Sequence, residues 1–195
     1  MRRPSTRGYT AVELLMALAV FAIGISGIIS LEKVTVVANQ HAKNLAIATQ
    51  IAQAWTSQLT VDAALWNNPS PANAVDDINQ TQWLAQVQAQ NGTWFLPAFM
   101  PNRSFGPAFD ALGNVVDPGN QPLQIQFCTH LRLTQIYPST TGAGLIRAEV
   151  RVFWLRDGQA DAQFCTGGNP GTIGQAITTY HFIYQTTAIT QQTLS

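Results

Sequence analysis

A single carboxylate, Glu13, interrupts the apolar run YTAVELLMALAVFAIGISGIISL at residues 9–31. Inside hydrocarbon such a charge costs about 2.5–3.5 kcal/mol on insertion scales, so it calls for a partner or a task. A basic head, MRRPSTR, precedes the run and ends at Gly8. Secretory signal peptides share the basic-then-apolar order but do not normally carry an acid so early in the apolar stretch. Two cysteines, Cys128 and Cys165, form the second chemical pair. In a chain with an export-type N-terminus they read as a disulfide, with two buried free thiols as the alternative. The bridge closes a loop of about 38 residues, which loop-closure entropy values at roughly 4 kcal/mol.

Other reactive groups are scattered. His41, His130 and His181 stand apart in sequence. His41 falls on the polar side of a helix pattern, and His130 and His181 lie in strand patterns that could make them neighbours. No metal-ligand spacing supports a site. The stretch FDALGNVVDPGN offers Asp110, Asn114, Asp117 and Asn120 as oxygen donors. It misses EF-hand spacing, so a hydrogen-bonded turn is the expected reading and a calcium loop the alternative. Asn79, Asn91 and Asn102 each begin an N-x-[ST] triplet, read as chance matches. Phosphate loops, nucleophile elbows and HExxH are absent from the sequence. With no convergent titratable groups, no cofactor is expected and the chain reads as a non-enzyme.

No proline occurs between Tyr9 and Thr60. Val34, Val37, Leu45, Ile47, Ala48, Ile51, Ala52, Trp55 and Leu59 recur mostly at spacings of three and four. That spacing predicts one helix over 9–60, membrane-spanning at 9–31 and amphipathic at 32–60. Its first part, at 1.5 Å per residue, reaches roughly 35 Å, enough for a bilayer core of about 30 Å. Gly24 and Gly27 weaken this part; their spacing misses GxxxG. Residues 67–120 are irregular yet rich in aromatics, which predicts a packed loop, with a short helix from Ile78 to Gln90 capped by Asp77. Alternation then predicts strands at 123–136, 145–156 and 177–187. The expected class is therefore α+β, a long N-terminal helix laid on a C-terminal antiparallel sheet of three to four strands, with residues 61–195 as a globular headgroup.

Composition narrows the function. Charged residues make up only 10% of the chain, below the soluble average of about 25%. The formal net charge is +0. Beyond residue 61 the cations are Arg103, Arg132, Arg147, Arg151 and Arg156, with no lysine. A nucleic-acid partner needs a clustered basic face, and at most Arg147 and Arg151 alternate into a modest stripe.

The residues Arg7-Gly8-Tyr9-Thr10-Ala11-Val12-Glu13-Leu14-Leu15 resemble the class III signal of type IV prepilins and pseudopilins. The resemblance implies a leader of residues 1–8, removed after Gly8 by a membrane prepilin peptidase that then methylates the Tyr9 amine. Tyr9 stands where the family usually has Phe. It also implies a pilin fold and an assembly role for Glu13, whose carboxylate pairs with the terminal amine of a neighbouring subunit when helices bundle in a fibre. The tract AVFAIGISGIISL and the strand AEVRVFWLRDG are similar to those of minor pilins of the PilV type. The strand is also similar to one in the I-type minor pseudopilin of type II secretion. Implied partners are other minor pilins, the major pilin and the inner-membrane assembly platform. The implied location is the inner membrane for the precursor, in a single pass, then a cell-surface pilus. The implied function is pilus assembly at or near the fibre tip, supporting adhesion or motility, with a type II secretion pseudopilin as the first alternative and a DNA-uptake pilin, using the Arg147 and Arg151 stripe, as the second.

Overall fold

Helix α1 covers Ala11–Ala63, beginning where Thr10 leaves the basic head. The computed structural model describes residues 10–66, 77–138, 144–157, 165 and 169–191. By contacts the chain divides into two units, meeting between Lys43 and Asn44, so α1 belongs to both. In the first unit its apolar side chains, Val12 through Val37, are exposed. In the second, Ile47, Ala48, Ile51, Ala52, Trp55, Leu59 and Ala63 are buried on one stripe. Val34, Val37 and Leu45 have the spacing of that stripe but are exposed, so the packed face starts at Ile47.

After α1 the expected helix from Ile78 to Gln90 is instead two 3-10 turns, Asp77–Gln80 and Leu84–Gln86, and one short turn α2 at Val87–Gln90. The reason lies in where the amides go. The N–H groups of Gln82, Trp83 and Leu84 donate to the Asp62 carboxylate at 2.7, 2.8 and 3.1 Å and so cannot close α-helical turns. Thr81 also folds its hydroxyl back onto Ile78 O at 2.6 Å. The side chain of Asp77, the expected cap, lies outside the described residues.

Five antiparallel strands follow: β1 (Trp94–Phe95), β2 (Ala108–Phe109), β3 (Phe127–Tyr137), β4 (Leu145–Leu155) and β5 (Tyr180–Thr190). The sheet order is β1-β3-β4-β5, with β2 pairing β3 beside β1. The two-residue strands raise the expected three or four to five. The expected boundaries also move. Pro122 starts a 3-10 turn at Pro122–Gln124, which delays β3 to Phe127. Backbone turns from Ala176 carry the chain to Tyr180 before β5 begins.

Alternation sorts the sheet into two faces. Leu131, Leu133, Ile146, Ala148, Val150, Val152 and Trp154 join Ile51, Trp55 and Leu59 of α1 in one core. The described part of the irregular segment, residues 77–120, is packed down, as its aromatics predict. Trp83 and Phe105 meet Trp55 edge-on at 5.4 and 4.6 Å. The reverse face carries a smaller cluster at one end, where Cys128, Phe153, Ile125 and Val116 pack with Cys165 and Ile173.

Candidate functional site

Thr10 and Glu13 close a reciprocal ring at the start of α1. Thr10 N–H and its hydroxyl donate to Glu13 Oε2 at 3.0 and 3.1 Å, and Glu13 N–H donates to Thr10 Oγ1 at 3.3 Å. This is the capping box that T-x-x-E at a helix start can form. It satisfies amides that the first turn cannot pair internally and places a negative charge at the positive end of the helix dipole. Both residues are exposed. Gly8 and Tyr9, the other processing residues expected from sequence, lie outside the described residues.

The α1 segment that follows presents Leu14, Leu15, Met16, Leu18, Val20, Phe21 and Ile23 with more than half of each side chain's surface exposed. Among the described residues α1 is the one helix long and apolar enough to cross a membrane. A row of this size left in water would cost on the order of 1.5–3 kcal/mol per large side chain, which is compatible with a single-pass membrane anchor.

At the other end of α1, Asp62 is fully buried and receives three backbone N–H bonds. Arg103 Nη1 stands 3.8 Å from Asp62 Oδ1, and its guanidinium lies over the Trp83 ring at 5.3 Å. A polar residue just past an apolar stripe gives no sequence signal for this role, because its partners sit twenty or more positions away.

The reverse sheet face gathers most of the remaining polar chemistry. Cys128 and Cys165 are disulfide-bonded, with Cα atoms 5.6 Å apart. Next to Cys128 along β3, His130 sits opposite Arg151 of β4. Arg151 is 1% exposed; its Nη2 donates to His130 Nδ1 at 2.7 Å and to Pro170 O at 2.5 Å. Arg151 can only donate, so His130 Nδ1 accepts and the ring proton sits on Nε2. Burial, then the Arg151 charge, push the His130 pKa down to about 3. The ring is neutral near pH 7 and its Nδ1 is already occupied, which removes it as a general base. Trp94 takes two cations, with Arg151 4.3 Å and Arg132 4.7 Å from its ring centre. Gly174 closes over this cluster, since a Cβ there would stand 2.7 Å from Arg151 Nη1.

One step further, Arg132 forks onto Glu149 at 2.7 and 2.6 Å, and Arg147 reaches Glu149 at 3.3 Å. Hydrogen bonding from Arg132 holds the Glu149 pKa below the usual carboxylate value. Arg156 donates to Ile177 O at 2.8 Å. The stripe that Arg147 and Arg151 suggest in sequence therefore does not exist: Arg151 is buried, and Arg147 shares a carboxylate. Nor do His130 and His181 meet, since His181 aligns with Trp154 on the opposite face.

The Asp110–Asn120 segment folds as two side-chain turns. Asp110 accepts from Leu112 N–H and Asn114 N–H, each at 2.8 Å, and Asp117 accepts from Gly119 N–H at 2.8 Å and Asn120 Nδ2 at 2.6 Å. Burial would raise the Asp110 pKa, but bonds from Asn114, Leu112 and Gly113 outweigh it and hold the pKa below the usual value. No group of three His, Cys, Asp or Glu occurs among the described residues. No family model, no curated protein and no solved structure matches this chain.

Proposed function

We propose that the chain is a type IV pilin-like subunit, most similar to minor pilins, made as an inner-membrane precursor and then built into a surface fibre. The observation that carries the proposal is a conjunction at one helix end. A glycine–aromatic junction, Gly8-Tyr9, lies directly ahead of a T-x-x-E cap and an apolar helix whose large side chains are exposed among the described residues. A membrane peptidase cutting after Gly8 would leave the apolar helix intact and create a new amine next to Glu13. In a dry bundle of such helices, an amine and a carboxylate left apart are each costly, so their pairing favours one axial register. The α+β headgroup supplies a disulfide-braced body suited to an oxidising compartment.

Mass spectrometry of the protein from its native cells tests this reading. The expected product lacks residues 1–8 and carries a methyl group on the Tyr9 amine, and it is recovered in sheared surface fibres. An intact, unmethylated N-terminus in cells with active peptidase rules the proposal out.

A further inference from the structure

Asn91-Gly92 is the chain's one Asn-Gly pair; every other asparagine precedes a residue that carries a side chain. Asparagine deamidates when the following backbone nitrogen attacks its side-chain amide, and a glycine nitrogen is the least hindered attacker. The pair forms the exposed turn between α2 and β1, with Gly92 at φ 72°. Two hydrogen bonds hold this turn against β3. Gly92 N–H donates to Leu133 O at 2.7 Å, and Gln135 N–H donates to Asn91 Oδ1 at 3.0 Å. Closing the five-membered ring requires a Cβ–Cα–C–N torsion near zero. With Asn91 ψ at 122°, the Gly92 nitrogen is instead turned away from the side chain. The most reactive asparagine of the sequence is thus held where its two reacting atoms stay apart.

We propose that Asn91 is a deamidation site gated by the attachment of its turn to β3, and that its isoaspartyl product frees Trp94 from Arg132 and Arg151. When the turn opens, hydroxide takes the Gly92 amide proton. The nitrogen bonds to Asn91 Cγ, and Nδ2 takes up a proton and leaves as ammonia. Water then opens the cyclic imide at either carbonyl. Cleavage at Cγ gives aspartate. Cleavage at the main-chain carbon gives isoaspartate, whose backbone runs through Cβ and Cγ. Aspartate keeps an acceptor for Gln135 N–H and disturbs little. Isoaspartate adds one backbone atom to a turn fixed at both ends, by α2 before it and by the pairing of Trp94 with Arg132 after it. The extra atom shifts β1 along β3. Trp94 then leaves the guanidinium groups of Arg132 and Arg151, which stand 4.7 and 4.3 Å from its ring centre. Detaching a strand of only two residues costs less than opening the core, so the site reports local rather than global unfolding. This inference is independent of the reading of Gly8–Glu13.

The test ages the purified full chain in detergent micelles, in neutral and alkaline buffer, beside an end-capped peptide of residues 87–98. Conversion at Asn91 is read by mass spectrometry and by isoaspartyl methyltransferase labelling. The peptide should convert at least about tenfold faster than the folded chain. Both rates should rise with pH, because the attacking nitrogen must first lose its proton. Trp94→Ala removes the ring that anchors β1 and should speed conversion in the folded chain about tenfold. Urea below the unfolding midpoint gives the same reading if that variant does not fold. Amide exchange at Gly92, Trp94 and Phe95 should quicken in the isoaspartyl chain and stay near the parent's in Asn91→Asp. The proposal is overturned by a peptide that does not convert, or by equal rates in peptide and folded chain. It is equally overturned by another asparagine converting first in the unfolded chain, by conversion that tracks global unfolding alone, or by an isoaspartyl chain whose β1 amides stay protected.

Discussion

The two faces of the sheet are built from different physics. The face under α1 is held by apolar burial, with Trp55, Leu59, Leu131, Val150 and Trp154 all essentially removed from water. Among the described residues Asp62 and Thr129 are fully buried polar side chains on that face, and Asp62 holds the amides of the segment that follows α1. The reverse face is held by a covalent bond, a buried cation and an ion-pair fork. Apolar layers tolerate a change of shape better than a change of polarity; polar layers depend on each partner being present. That contrast makes each face vulnerable to a different perturbation.

The largest effect is expected from Asp62→Ala. It orphans the buried N–H groups of Trp83 and Leu84 and the half-buried one of Gln82, removes the charge facing Arg103, and should lower stability by about 3–5 kcal/mol in denaturant unfolding. Asp62→Asn should recover part of that loss, because one carbonyl oxygen still accepts. If Asp62→Ala costs less than a kilocalorie, roughly the value of one exposed hydrogen bond, the apolar face does not rely on its carboxylate.

Next is the paired change Cys128→Ser with Cys165→Ser, or reduction of the native bond. A loss of roughly 2–4 kcal/mol is expected, reported by a lower unfolding midpoint and by faster proteolysis of the connection between β4 and β5. Cleavage appearing first in α1 instead would place the weak point on the other face.

His130 sharpens the comparison through pH. Its folded pKa of about 3 lies below the ordinary value of 6.5, so the unfolded chain binds the extra proton. Stability should be fully present above about pH 6.5 and fall as pH drops towards 3, by up to about 1.4 kcal/mol per unit. His130→Asn keeps an acceptor for Arg151 and should flatten that slope; an unchanged slope in the variant would assign the acid sensitivity to other groups. The smallest effect is expected from Glu149→Gln, under about 1 kcal/mol, because Arg147 and Arg132 are partly exposed. A depressed carboxylate stabilises only above its folded pKa, so the small difference should vanish in acid as Glu149 protonates.

Much of the architecture was readable from spacing. The stripe Ile47–Leu59 and the alternation of Val150, Val152 and Trp154 report burial directly, because a helix repeats every 3.6 residues and a strand every two. Spacing alone does not say where packing begins: Val34 and Val37 keep the period yet are exposed. The broken helix at 77–90 was hidden because its amides bond to Asp62, a long-range choice that no local propensity encodes. β1 and β2 are too short to show a period. The disulfide was legible from an even cysteine pair in a chain with an export-type N-terminus. The Arg151–His130–Trp94 cluster was not, since it needs three strands in register before its members meet.

The capping box at Thr10 and Glu13 sets a toll on any rearrangement of the N-terminus. A cap of this type is worth about 1 kcal/mol, so a rival cation must outbid it before the carboxylate swings away. A feeble or badly aimed suitor would simply leave the acid bonded to its own threonine. In the assembly proposed above, the local ring would act as a threshold that only a well-placed positive group in a water-poor setting crosses.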